Sequence, residues 1–176
     1  KLNASEDVRP GSNGKQSAVI TCTSVWGINA NGVMTTGRIY ANSATATDAD
    51  NNYNYSEPGK TDDSNSHENS SFSQPFNGHP DSMRVWVKFD AARSTQSSQY
   101  PYASVNAVIH NNARYQDPEG SGDYTKVRVA KAANAQIANY GSWQQLEMPF
   151  DYSFGSSDDS QYILVSFTTN AQPGGG

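Results

Sequence analysis

The stretch DSMRVWVKFD, residues 81–90, alternates apolar and polar side chains with a period of two, and this alternation constrains the chain more than any other feature. Successive side chains of a strand point to opposite faces, so Met83, Val85, Val87 and Phe89 share one face while Arg84, Trp86 and Lys88 share the other. Elsewhere the apolar runs are short, alternate with polar residues and are punctuated by Gly, Pro, Asn and Asp; no long stretch repeats at 3.6 residues. An all-β protein is predicted, with strands over 17–25, 37–42, 70–76, 82–90, 102–110, 125–132, 143–152 and 161–169. Strands at this spacing predict a two-sheet antiparallel β-sandwich of jelly-roll type. Its shared core would hold Ile20, Val85, Val87, Phe89, Val105, Ile109, Val127, Leu146, Phe150, Ile163, Val165 and Phe167.

With 176 residues the chain is read as one domain, 1–176, in which residues 1–10 form a flexible N-terminal lead. Residues 41–70 are rich in Asn, Ser, Asp and Tyr, lack apolar alternation and are expected to form a long polar loop. Two runs in or near it, DADNN and TDD, carry carboxylates that would suit Ca²⁺, but neither has the Gly-anchored spacing of a calcium loop; calcium is weakly supported and no other cofactor is expected. KAANAQIAN, residues 131–139, reads as a short irregular link, too short and weakly amphipathic for an independent helix.

A net charge of −5 with no two adjacent basic residues disfavours nucleic acid and anionic membranes; neutral partners fit better. No apolar stretch is long enough for a transmembrane helix. A polar, weakly charged, aromatic-rich composition suits a chain outside the cytoplasm. The single cysteine, Cys22, is expected to be a buried small hydrophobe.

The outer faces of several strands share a plan. Arg84, Trp86 and Lys88 lie on one, Asn106 on another, Arg128 beside Lys126, and Glu147 with Trp143 and Gln145. Aromatic faces stack on the C–H face of a pyranose, and amides and charged tips bond its hydroxyls. Arg84, Trp86, Lys88, Asn106, Arg128 and Glu147 are therefore predicted to line one sugar-binding sheet face. The competing reading covers Trp86 with the long loop, as part of a satellite core.

Glycoside hydrolysis would need two carboxyl groups roughly 5 to 9.5 Å apart. Asp81, Asp90, Glu147 and Asp151 are available, but nothing in the sequence pairs them. His67, His79 and His110 lack zinc-site spacing, and no G-x-S-x-G supports an acyl-transfer serine. His79, in NGHPD, reads as a turn residue before Pro80.

PFNGHPDSMRVWVKF resembles a block of the putative carbohydrate metabolism domain, a family of extracytoplasmic Bacteroidetes proteins. SAVITCTSVWG, GVMTTGRIY, YASVNAVIH, WQQLEMPFDY and YILVSFTTNAQPGGG follow the family's order, from about Gly11 onward. The resemblance implies a jelly roll similar to carbohydrate-binding modules, on surface or periplasmic proteins that handle glycans. Family members continue past the glycine-rich turn into a last strand, which is absent where this chain stops at Gly176. An exposed sheet edge would then be filled by further chain, by a strand donated from a partner, or by KLNASEDV folding back. The expected function is a non-catalytic glycan-binding domain of an exported or cell-surface protein. The alternatives are a glycoside hydrolase and a structural or adhesive subunit completed by a donated strand.

Overall fold

The computed structural model describes residues 2–25, 27–61, 70–91, 99–153, 155–156 and 158–175. These contain β1 (Leu2–Ser5), β2 (Ser17–Ile20), β3 (Thr23–Val25), β4 (Ile28–Ala30), β5 (Val33–Thr35), β6 (Arg38–Ala41) and β7 (Asn52–Ser56). They continue with β8 (Gln74–Pro75), β9 (Ser82–Val87), β10 (Ala103–His110), β11 (Tyr115–Asp117), β12 (Arg128–Ile137), β13 (Gln144–Pro149) and β14 (Tyr162–Thr168). All pairings are antiparallel, and the described residues hold no helix.

A central sheet in the order β12-β10-β14-β5, with β8 also on β14, is packed on both faces. Val105 and Ala107 of β10, with Val165 and Phe167 of β14, meet Met83, Val85, Val87, Leu146 and Met148 of the two-stranded β9–β13 ribbon. On the opposite face Val108 and Leu164 meet Tyr115 of the β11-β7-β6 sheet. Double coverage explains why β10 is buried at almost every position rather than at alternate ones. Gly37 lies where the outer sheet closes on the centre: a Cβ there would collide with the Tyr55 carbonyl and meet Leu164 Cδ1 at 2.7 Å.

Several expectations are corrected. Residues 2–5 are not a loose lead but pair with β2, Leu2 opposite Ile20. The 41–70 segment contains β7, whose Tyr53 and Tyr55 point outward while Asn54 and Ser56 are buried; a polar inward face leaves no apolar alternation to read. KAANAQIAN is no irregular link: β12 runs through Ile137, and buried Ala130 and Ala132 suit close packing beside β10. The stretch 17–25 breaks into β2 and β3, and Cys22 between them is exposed. Ile20 is half-buried and lies outside the clusters that join the layers. Both edges of β14 are occupied, by β10 on one side and by β5 and β8 on the other.

Candidate functional site

The β9–β13 ribbon places its long polar side chains on the side away from the core. Register sets Arg84 opposite Glu147 and Trp86 opposite Gln145, and Trp143, just before β13, bonds the same Asp7 carboxylate as Lys88. Arg84 grips Glu147 with a fork, Nη2 donating to Oε1 at 3.1 Å and Nε standing 3.0 Å from Oε2. Ser82 Oγ donates to the same Oε1 at 3.2 Å. The Arg84 bond, then Ser82, hold the Glu147 carboxyl below its usual range. Trp86 is 37% exposed, neither free of contacts nor sealed beneath a loop.

The N-terminal segment crosses this face. Asp7 Oδ2 accepts from Lys88 Nζ at 2.7 Å and Oδ1 accepts from Trp143 Nε1 at 2.9 Å, while the guanidinium of Arg9 lies 5.6 Å from the centre of the Trp86 ring. The Lys88 bond, then the indole bond, lower the pKa of Asp7. Neither Asp7 nor Arg9 was legible as part of the site, because their roles follow from where the chain after β1 runs rather than from any local motif.

Arg84, Trp86, Lys88 and Glu147 thus come together, but Asn106 and Arg128 do not join them. Asn106 points to the other face of the central sheet, opposite to Val105 and Ala107, where its Nδ2 donates to Asp117 Oδ2 at 2.9 Å. Arg128 pairs with Glu119, which also accepts from Tyr115 Oη at 3.1 Å. Burial first, then nearby Asp117 and Glu119, push the Tyr115 phenol far above its ordinary pKa. Lys131 Nζ stands 3.5 Å from Asp117 Oδ1 and extends the network. These groups tie the central sheet to the outer one, which is a structural task. Strand parity alone put them on an outer face, and the second covering layer was invisible to that reasoning.

A cleft of about 930 Å³ opens elsewhere, beside His79, Tyr152, Asp158, Asp159, Gln161 and Tyr162. The His79 ring stacks on Tyr152 at 3.7 Å and 8°, so the residue read as a turn position also builds this wall. Asn111 Nδ2 donates to Asp158 Oδ2 at 2.7 Å. In the DADNN run, Asp48 accepts from Asn51 Nδ2 at 3.0 Å and Asp50 from the Ser121 amide at 2.7 Å, so both carboxylates shape turns. No group of three or more metal-ligating side chains occurs among the described residues; His67 and the two aspartates of TDD lie outside them.

The fold and this face define an all-β domain of packed antiparallel sheets with a half-exposed indole platform. No family model matches the chain, and no curated protein matches it. Among solved structures it is similar to a protein from Bacteroides thetaiotaomicron described as a "putative glycoside hydrolase", with 13% identity and a TM-score of 0.62. The likeness covers 98% of this chain and 53% of that one, so this chain spans about half the length of its structural relative. At that identity the likeness is one of fold.

Proposed function

We propose that this chain is a non-catalytic glycan-binding domain of an exported or cell-surface protein of the Bacteroidetes type, and that the Trp86 face is its sugar platform. The observation that carries this reading is the shared face of Trp86 on β9 and Trp143 immediately before β13, two indoles flanked by the Arg84–Glu147 fork, Gln145 and Lys88. Indole faces supply the flat apolar surface a pyranose ring needs, and the flanking groups supply donors and acceptors for its hydroxyls. The fold likeness to the Bacteroides protein supports the same direction. A glycan array probed with the purified chain tests it. Binding that is saturable and accompanied by no release of reducing ends is the expected result.

A second reading, hydrolysis, is favoured by the cleft, where Asp158 and Asp159 stand near the His79–Tyr152 stack. Release of reducing sugar that disappears in Asp158→Asn or Asp159→Asn would establish it in place of the first.

A further inference from the structure

The N-terminal segment contacts the Trp86 face through Asp7 and Arg9. Asp7 is held by two donors that converge on one carboxylate: a lysine ammonium, Nζ of Lys88, at 2.7 Å and an indole N–H, Nε1 of Trp143, at 2.9 Å, one on each carboxylate oxygen. Both donors flank the last pair of the ribbon, Val87 and Gln144, Lys88 just after β9 and Trp143 just before β13, and Asp7 comes to them from the N-terminal segment. Bonds with an ionised partner are the strong ones, and a carboxylate whose two oxygens are both engaged is fixed in orientation as well as position. Beside it, the guanidinium of Arg9 covers the Trp86 ring, the surface on which a sugar would stack.

We propose that Lys88 Nζ and Trp143 Nε1 form a carboxylate-binding subsite, filled in the free protein by Asp7, and that the ligand is a glycan containing uronic acids. The inference rests on the reading of the Trp86 face as a sugar platform and names the class of sugar it takes. A uronate presents a ring for Trp86 and a carboxylate for Lys88 and Trp143 in one residue. Local charge agrees: with Asp7 displaced, the ammonium of Lys88 loses its ion-pair partner, while Arg84 stays paired with Glu147. The net charge of −5 describes the whole chain, and screening over about 10 Å lets this local excess act on a bound residue. Residues 7–9 act as an internal competitor, so the affinity for a free glycan is reduced by the fraction of molecules in which the segment is closed.

Polygalacturonate and its methyl-esterified form, the same backbone without charge, are titrated into the wild type, Asp7→Ala, the double variant Asp7→Ala/Lys88→Gln, and Trp86→Ala. Asp7→Ala is expected to bind polygalacturonate about tenfold more tightly than the wild type, the gain for a segment closed in about nine molecules of ten. The double variant is expected to lose the preference for the charged polymer, binding acid and ester with equal affinity. In parallel, Asp7→Ala should shift the Trp143 indole N–H resonance, and galacturonate added to that variant should return it toward its wild-type position. Equal affinity of Asp7→Ala for the acid and the ester overturns the carboxylate subsite. Should neutral glycans still bind in a Trp86-dependent way, the sugar-platform reading survives that result. Binding of any glycan that is indifferent to Trp86→Ala overturns both.

Discussion

Asn106 Nδ2 donates to Asp117 Oδ2 at 2.9 Å, and Asp117 is only 6% exposed. The pair sits between the central and outer sheets, so Asn106 serves packing rather than sugar. Removing one partner of a buried hydrogen bond leaves the other to bear its desolvation cost. Asn106→Ala should lower stability by about 1 to 3 kcal/mol in urea unfolding and leave glycan affinity unchanged. Lost binding with intact stability would return Asn106 to the site.

The two covered faces of the central sheet give a second expectation. Leu164 is fully buried on the side facing Tyr115, although its neighbours Ile163 and Val165 pack toward the other layer. Leu164→Ala should cost about 2 to 5 kcal/mol, as core truncations do. A cost below about 1 kcal/mol would mean that this face of the sheet is not a packed layer.

His110 sets a pH dependence. It is fully buried between the rings of Tyr115 and Tyr162, its Nδ1–H donates to the Asn111 carbonyl at 2.8 Å, and Nε2 has no partner among the described residues. Burial holds its pKa down to about 4, against an ordinary value of 6.5. Because the folded pKa lies below the unfolded one, the unfolded chain binds the proton first as pH falls. The contribution is therefore whole above about pH 6.5 and declines toward pH 4, a loss of about 3 kcal/mol. Urea midpoints measured across this range should fall for the wild type and fall less for His110→Phe. Parallel profiles for the two proteins would contradict the assignment.

Much of this was readable from period-two alternation, and the failures share a cause. Val85 and Val87 against Arg84 and Trp86 declared their faces because one side of the ribbon meets the core and the other meets water. β7 carries the opposite plan, with Asn54 and Ser56 inward and tyrosines outward, so hydrophobicity pointed away from a strand. In β10 both faces are buried, and Asn106 could not be told from a surface amide without knowing of the outer sheet. The meeting of Asp7 with this face is a long-range event, 81 residues from Lys88 and 136 from Trp143. No local pattern encodes such a meeting.

Gly37 offers a check on how the outer sheet closes. Gly37→Ala would force a methyl group against the Tyr55 carbonyl and Leu164, and overpacking of this kind costs about 1 to 3 kcal/mol. Thermal unfolding should register the loss, and an unchanged midpoint would show that the layers do not approach as closely as described.

The account turns on Trp86, which is 37% exposed on the outer face of the ribbon and lies outside the apolar clusters that join the layers. Isothermal titration of a glycan bound by the wild type into Trp86→Ala, alongside urea unfolding of both proteins, tests this directly. The predicted result is loss of at least about tenfold in affinity, or about 1.4 kcal/mol, with a stability change below about 1 kcal/mol. Destabilisation by about 3 to 5 kcal/mol, the cost of truncating a core aromatic, or full retention of binding would contradict it.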